Sequence, residues 1–511
     1  MKFFTSVEYR KGQLFVRGYD EVGEQVKYKT LGDDIDLRLW IHDPSGHSDK
    51  IAFDGSPLRE TRFNSFSEIE DFNKSFGKEH LDIHGVFPFE NQYITQKGLY
   101  ENPDFSKIRI AVCDIETTSS NGFPSTTDPQ EMVQICSLWN SRTQRIRVFC
   151  LDVPDLAETE FGSDVDIIPC QTESELLHKV LDYFAQEQFD VISAWNGDLF
   201  DYPYLYYRAK AILSKKDAQK FSPWRVVGEN TINVNNRTLP VVNFLGSTCL
   251  DYLSLYKKFM SVKQESYKLD HIAEVELGER KLDYSEYGTL QEFWEKDPIR
   301  YFKYNIQDVR LVVALDKKLK LFELIFTLGY IARTNFSDIY SPVKTWESLC
   351  YNYLWDRGMV VPPSKVNTKQ RSFAGAYVKE PIPGLYTDVV SFDVTSLYPS
   401  LIRMLNISPE TRITHSTLEL PNTDLLETLL DITLVKEHDP LKNLIKEVLP
   451  EQQLTMSINQ QFYTKTVEGM IPNIMSSLFN RRVLAKKEKI KLEQELETLE
   501  EELASNAETM D

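Results

Sequence analysis

Between residues 108 and about 320, strand-like and helical segments alternate, and that alternation limits the fold more than any other feature of the chain. "KIRIAVCDIET" reads as a strand. "ESELLHKVLDYFAQ" reads as an amphipathic helix, with Leu176, Leu177, Val180, Leu181 and Phe184 at helical spacing. "FDVISAWN" reads as a second strand, and "YFKYNIQDVRLVVALDKKLKLFELI" as one long helix. Such a pattern predicts an α/β region built around a sheet. "VVGENTINVNNRTLPVV", residues 226 to 242, reads as a β-hairpin with Asn-rich turn chemistry. Residues 1 to about 107 carry short alternating strands with polar turns and predict a β-rich N-terminal region. The Pro-rich passage "VVPPSK" precedes residue 365, and from Pro472 onward the pattern is helical. A length of 511 residues allows about three or four domains.

Composition excludes several function classes. Hydrophobic residues at 41% and charged residues at 26% describe a globular protein. The six cysteines (113, 136, 150, 170, 249 and 350) form no Cys-x-x-Cys pair, so neither a disulfide framework nor a zinc site is expected, and a reducing, cytoplasmic setting is. "MKFFTSVEYRKGQ" lacks the long apolar core of a signal peptide. No apolar run reaches the ~18 residues of a membrane span. The net charge of −19 opposes an unaided electrostatic grip on nucleic acid, so any such site must be local or completed by something else.

Acidic residues recur where strands end or helices turn inward. Asp114 and Glu116 in "VCDIET" are two apart, so on a strand they point to one face. Side by side they repel unless a cation lies between them. Asp201 in "SAWNGDLFDYPYLYYR" follows a strand directly, in a run of aromatics able to stack unpaired bases. Tyr304 and Asp308 in "YFKYNIQDVRLVV" share one helical face, in a helix otherwise apolar around Asp308. Farther on, a β-rich run from Val389 to Phe392 is expected to deliver Asp393 at its end. A tight Thr395–Pro399 turn rich in backbone N–H groups follows, a setting able to hold a metal ion beside a phosphate.

The three segments Asp-Ile-Glu, Asn-x3-Phe-Asp (Asn196 to Asp201) and Tyr-x3-Asp, in this order, resemble the three exonuclease motifs of the family B DNA polymerases. "FDVTSLYPS" resembles motif A of the same family. "AGAYVKEPIPG", "SFDVTSLYPSLIR" and "NISPET" resemble the replicative polymerases of large tailed bacteriophages. The resemblance implies a multidomain α/β chain: an N-terminal domain over 1–107, with 321–364 returning to it, a ribonuclease H-like 3′→5′ exonuclease over 108–320, a partial α+β palm over 365–470 and one fingers helix over 471–511. It implies that Asp114, Glu116, Asp201 and Asp308 bind two divalent metals, Mg²⁺ or Mn²⁺, and that Tyr304 helps position the attacking water. Metal chemistry fits those residues, since bound ions lower the pKa of water and stabilise the leaving 3′ oxygen. Phe123 and Asn196 would contact the DNA strand.

For the polymerase site, the resemblance makes Asp393 a ligand of a further metal pair and sets the amides around Ser396 and Leu397 against the incoming dNTP. Tyr398 would lie under the sugar and exclude a 2′-hydroxyl. Family members usually show Tyr-x-Gly-Gly/Ala upstream. Here Phe373-Ala374-Gly375-Ala376 keeps the ring packing, with Gly375 close to DNA, but loses a phenol. Arg482 and Lys486, four apart on the terminal helix, match the triphosphate-binding cations of the first fingers helix. That helix runs basic to acidic, from Arg481, Arg482, Lys486 and Lys487 to Glu493, Glu495, Glu497, Glu500, Glu501 and Glu502. The order opposes the helix macrodipole, so helix stability did not select it. After Asp393 the only aspartates are Asp424, Asp431, Asp439 and Asp511, and no Asp-Thr-Asp of motif C is present. The second fingers helix and the thumb are missing as well. The expectation is an N-terminal subunit of a split polymerase, in preference to a truncated fragment or a mainly non-catalytic assembly subunit. Its partners would be primer-template, single-stranded DNA, dNTPs and a C-terminal subunit, through which a sliding clamp could be reached, with no membrane. Leu492, Leu496, Leu499 and Leu503, at 4-3-4 spacing, form a seam suited to another helix.

Overall fold

The computed structural model describes residues 1–46, 50–52, 55–76, 82–119, 122, 124–154, 156, 161–234, 237–363, 378–413, 449–451, 453–457 and 461–508. Contacts divide the chain into two units. One comprises 1–39, 60–81 and 87–348, and the other 40–59, 82–86 and 349–511. The whole is a mixed α/β protein with a β-rich N-terminal region. Residues 3 to 63 form two three-stranded sheets. The first is antiparallel: β1 (Phe3–Arg10), β2 (Gln13–Tyr19) and β3 (Gln25–Thr30), in the order β1-β2-β3. The second is β4 (Leu37–His42), β5 (Lys50–Ile51) and β6 (Pro57–Phe63), in the order β4-β6-β5.

A six-stranded sheet organises the first unit. Its strands are β7 (Ile110–Thr117), β8 (Val133–Asn140), β9 (Arg145–Leu151), β10 (Val165–Cys170), β11 (Val191–Ser193) and β14 (Thr248–Cys249), in the order β10-β9-β8-β7-β11-β14. β8 runs antiparallel to β7 and β9, while β11 runs parallel to β7 and β14. β12 (Val227–Val234) and β13 (Arg237–Phe244) form the hairpin expected from the Asn-rich turn. The period of two in β7 sends Ala111, Cys113 and Ile115 into one core. There they meet Leu176, Leu177, Val180 and Leu181 of the helix Glu173–Glu187, all fully buried. Each such aliphatic side chain contributes about 1.5–3 kcal/mol. Asp114 and Glu116 are thereby turned to the opposite face, where the helix Pro298–Leu319 packs on β7.

The single long helix expected over 301–325 is two helices, Pro298–Leu319 and Leu321–Ala332. Lys320 lies between them in the left-handed conformation, φ 55°. Its N–H still bonds to the Asp316 carbonyl, while the Asp316 carboxylate accepts from the amide of Phe322 at 3.1 Å. A side-chain acceptor for the new helix's orphan amide makes the break tolerable. The second helix and the residues after it reach the N-terminal strands. The Tyr330 hydroxyl donates to the Phe4 carbonyl, and the Asn335 amide exchanges two hydrogen bonds with the backbone of Val7 at 3.0 and 2.7 Å.

A buried ion pair ties β2 to the start of β11. Arg17, 1% exposed, donates to the carbonyls of Phe189 (2.8 Å) and Gly246 (2.6 Å) and pairs with Asp190 at 3.3 Å. Asp190 also accepts from Thr5, from the Tyr19 hydroxyl at 2.6 Å and from the amide of Arg109 at 2.9 Å. Arg17→Leu removes the cation and strands a buried carboxylate. Denaturant titration of the variant is expected to show a loss of about 3–5 kcal/mol, whereas a change below 1 kcal/mol would remove this pair's structural importance.

In the second unit, the helix Leu397–Leu405 lies along the helix Met470–Glu508. Arg403 donates to Ser476 at 3.0 Å and covers the ring of Phe479 at 4.7 Å. The run Val389–Phe392, expected as a strand, carries no strand pairing, and Val389, Val390 and Phe392 are 75%, 71% and 93% exposed. A strand is defined by its ladder, and among the described residues none pairs with this run. "NISPET" closes the base of the terminal helix. Asn406 donates to the carbonyls of Thr464 and Val467, and Glu410 accepts from the amide of Met470 at the helix start. A carboxylate at a helix N-terminus meets both its orphan amides and its dipole.

Candidate active site

Asp114 and Glu116 on β7 and Asp308 on the helix Pro298–Leu319 each offer a carboxylate oxygen, and these oxygens lie within 4.8 Å of one another. The helix is set for this by its own ends. The Asp297 carboxylate caps it by accepting from the amide of Arg300 at 3.0 Å, and Pro298 occupies its first turn. Asp201 opens the helix Asp201–Ile212 and accepts from the amide of Ile115, between the two β7 acids, at 3.3 Å. It is 4% exposed.

Burial raises every one of these carboxyls, and neighbouring carboxylates add to it. Burial and then Asp308 push Asp114 well above the usual range. The same two causes carry Glu116 up to about 8. Burial takes Asp201 to about 7, against backbone hydrogen bonds that favour its charged form. Burial also raises Asp308, which Lys281 holds down at about 6. At an effective dielectric of ~20, two charges 4.8 Å apart repel by about 3.5 kcal/mol. One lysine offsets about one such term, and the cluster contains several.

Lys281 is that lysine. Its ammonium lies 2.5 Å from Asp308 and donates to the Tyr304 hydroxyl at 2.9 Å. Burial alone would lower its pKa, but Asp308, Tyr304 and Asp114 outweigh burial and hold it above the ordinary lysine value. Asn305, fully buried, donates to Asp114 at 2.6 Å. Two buried oxygens here, Asp308 Oδ1 and Asn305 Oδ1, have no hydrogen-bond partner. Converging carboxylates, one of them with an orphaned oxygen, form an all-oxygen donor set suited to a hard divalent cation. The residues present therefore fit a metal.

The cluster opens on a cleft of about 1100 Å³ lined by Asp114, Trp195, Asn196, Tyr267, Tyr284, Tyr304 and Asp308, among others. Asn196 adopts φ 71°, and its amide and that of Gly197 both donate to Asp251. Phe123 and Gly375, expected at DNA, lie outside the described residues.

The polymerase-like motif has a different character. Asp393 is exposed, and Ser396 adopts φ 51° ahead of the helix Leu397–Leu405. Arg482 of the terminal helix donates to the Ser396 hydroxyl at 3.1 Å, so the turn and the helix cation meet. Tyr398 is 71% exposed, and Lys486 is exposed. Asp393 belongs to no group of three or more converging metal-ligand side chains among the described residues.

Comparisons with known proteins cover both regions of the chain. The family "DNA polymerase family B, exonuclease domain" matches residues 90–272, and "DNA polymerase family B" matches 346–506. The chain belongs to the family B DNA polymerases. It is 31% identical over 506 residues to the DNA-directed DNA polymerase of Escherichia phage RB69 and 29% identical over 510 residues to that of Enterobacteria phage T4, in both cases over 94% of this chain and 53% of the relative. It is 25% identical over 351 residues to the DNA polymerase of Pyrococcus glycovorans, over 65% of this chain and 42% of the relative. The chain thus spans about half the length of the phage relatives it matches.

Three residues at or beside the carboxylate cluster escaped the sequence reading. Asn305 stands beside Tyr304 inside a segment already singled out, so its place on the helix was available. Asp251 holds the Asn196–Gly197 turn and is recognisable only as the cap of the helix Tyr252–Phe259, accepting from Ser254. Lys281 lies in a polar stretch without periodicity and carries no sequence signal. Because Lys281 is the cation nearest Asp308, Lys281→Met is expected to lower the melting temperature of metal-free protein. Mn²⁺ is then expected to raise it by more than in the unchanged protein. Equal Mn²⁺ shifts in both would dissociate Lys281 from the carboxylates.

Proposed function

We propose that the chain carries a 3′→5′ proofreading exonuclease and half of a DNA polymerase active site. The observation that carries this reading is the convergence of Asp114, Glu116 and Asp308 within 4.8 Å, with Asp201 bonded to the strand between the first two. Its domains are then an N-terminal domain over 1–107 with 321–364, a ribonuclease H-like exonuclease over 108–320, a partial palm over 365–470 and one fingers helix over 471–511. The strand order β9-β8-β7-β11-β14, antiparallel then parallel, supports the second of these.

Asp114, Glu116, Asp201 and Asp308 would hold two divalent ions, Mg²⁺ or Mn²⁺. Bound there, the ions supply an activated water and stabilise charge on the leaving 3′ oxygen. The chain's own residues do the rest. Asn305 holds the Asp114 carboxylate in place through its amide. Lys281 fills a lone pair of the Tyr304 hydroxyl, which leaves the phenolic proton to orient the attacking water. Trp195 and Tyr284 line the cleft and offer ring faces to an unpaired 3′-terminal base.

For synthesis, Asp393, the turn Ser396–Tyr398, Arg482 and Lys486 would bind the metal and triphosphate of a dNTP on primer-template DNA. The Arg482–Ser396 contact supports this grouping. A second palm carboxylate would have to come from sequence outside this chain. In the phage relatives the match occupies about half of one longer polypeptide, so the expectation of a separate partner subunit gains no support from them. No described helix is long and apolar enough to cross a membrane, and action in the cytoplasm of a bacterial host follows from the phage likeness.

The isolated chain with Mg²⁺ or Mn²⁺ is expected to shorten 5′-labelled single-stranded DNA from its 3′ end without extending a primer. Asp114→Ala with Glu116→Ala is expected to reduce cleavage by at least about a thousand-fold, the loss of several kcal/mol of charge stabilisation, at unchanged circular dichroism. Undiminished cleavage in the double variant, or primer extension by this chain alone, would contradict the assignment. A fully inactive chain would favour a purely assembling role.

A further inference from the structure

Asp201 and Asp308 reach the carboxylate cluster on separate helices, Asp201–Ile212 and Pro298–Leu319. A shared metal site requires that these helices be held in fixed relation. A third helix, Tyr252–Phe259, touches the support of each. It starts just past β14, where the amides of Leu250 and Tyr252 donate to the carbonyls of Ile192 and Ala194, both at 2.9 Å. Its first turn is thereby fixed beside β11.

Asp251, 3% exposed, caps this helix with one oxygen and holds a turn with the other. Oδ2 accepts from the amide and hydroxyl of Ser254 at 3.2 and 2.6 Å, and Oδ1 from the amides of Asn196 and Gly197 at 2.7 and 3.2 Å. The turn needs that support. Asn196 lies in the left-handed region at φ 71°, a conformation that costs a residue with a side chain. Gly197 has no space for a Cβ, which would stand 2.5 Å from the Tyr202 ring and 2.7 Å from Ala194. The Gly197 carbonyl accepts at 3.0 Å from the amide of Tyr202, the residue after Asp201. The turn held by Asp251 therefore delivers Asp201 to the head of its helix.

Tyr252, fully buried, reaches the other side. Its hydroxyl donates to Asp316 at 3.2 Å, about two turns beyond Asp308 on the same helix. Its ring meets that of Phe322 edge to face, with centres 5.3 Å apart. The charge of Asp251 works against an ionised Asp201, since burial first, and Asp251 after it, raise that carboxyl. What Asp251 offers is the placement of two acceptor oxygens.

We propose that Asp251 and Tyr252 are positioning residues of the metal site: the first turn of the helix Tyr252–Phe259 brackets the turn that delivers Asp201 and the helix that carries Asp308. The inference rests on the proposed metal-dependent exonuclease and adds the residues that set its two sides against each other.

The test is the Mn²⁺ affinity of the full metal-free chain, read from the electron paramagnetic resonance of the free ion. Asp251→Ala is expected to weaken binding about ten-fold, and Tyr252→Phe, which keeps the ring, about three-fold. Asp251→Asn is expected to stay within about three-fold of the unaltered chain, because its amide oxygen still accepts from Asn196 and Gly197. Thr172→Ala removes the side-chain cap of the helix Glu173–Glu187, away from the site, and is expected to change affinity by less than about two-fold. With Asp201→Asn already present, Asp251→Ala is expected to add less than about two-fold, since residues acting through one ligand are not additive.

Equal losses in Asp251→Asn and Asp251→Ala would assign the effect to charge and overturn the proposal. Unchanged affinity in Tyr252→Phe would overturn it too, whether or not Asp251→Ala folds. So would fully additive losses from Asp251→Ala and Asp201→Asn. Each of these three results leaves the carboxylate site standing. Unchanged Mn²⁺ binding in Asp201→Asn would overturn Asp201 as a ligand, and the bracket with it.

Discussion

Asp114, Glu116 and Asp308 present three oxygens within 4.8 Å, largely out of water, and their mutual repulsion is the constraint around which the first unit is arranged. Folding must bring these groups together at an unfavourable energy, which the surrounding core has to overcome. The opposite face of β7 supplies the means. Ala111, Cys113 and Ile115 lock the strand into an apolar cluster with the helices Glu173–Glu187 and Asp201–Ile212, fixing the face on which the acids stand. The helix Pro298–Leu319, capped at its start by Asp297, then carries Asp308 and Asn305 against that face. Without a metal, protonation and Lys281 relieve part of the repulsion. A divalent cation would relieve much more, which is why the arrangement reads as a site and not as a defect.

The second unit poses a different problem. Its acid, Asp393, is exposed, and so is the apolar run before it. Exposed contiguous apolar residues in a folded chain mark a surface that something else covers. The turn after Asp393 nevertheless already has its helix cation in place, because Arg482 bonds to Ser396 and Arg403 fixes the two helices together. Under the proposed function, the basic stretch of the terminal helix would gather phosphate, which would account for its unfavourable order along the macrodipole. Leu492, Leu496 and Leu499 are each 57% exposed, so no described residue covers this part of the seam.

What the sequence revealed followed from periodicity. A period of two put Asp114 and Glu116 on one face of a strand, and a period of 3.6 put Tyr304 and Asp308 on one side of a helix. Both are local properties, and both survive folding. Lys281 acts through a contact 27 residues from Asp308 in a segment with no repeating pattern, so nothing local announced it. The helix break at Lys320 depends on the Asp316 carboxylate finding the amide of Phe322, a choice that helix propensity does not encode. The missing strand at Val389–Phe392 failed for the converse reason. Its residues suit a strand, but pairing is a property of two segments and the sequence read only one.

Calorimetric titration of Mn²⁺ into the metal-free chain at pH 7, in two buffers of different ionisation heat, addresses the carboxylate cluster most directly. With Glu116 raised to about 8 and Asp201 to about 7, both hold protons in appreciable amount at that pH, and ligation must expel them. The predicted result is release of at least about one proton per chain on binding, lost together with the binding itself in Asp114→Ala with Glu116→Ala. Mn²⁺ binding with the same heat in both buffers, or binding that persists in the double variant, would contradict a metal site built from these acids.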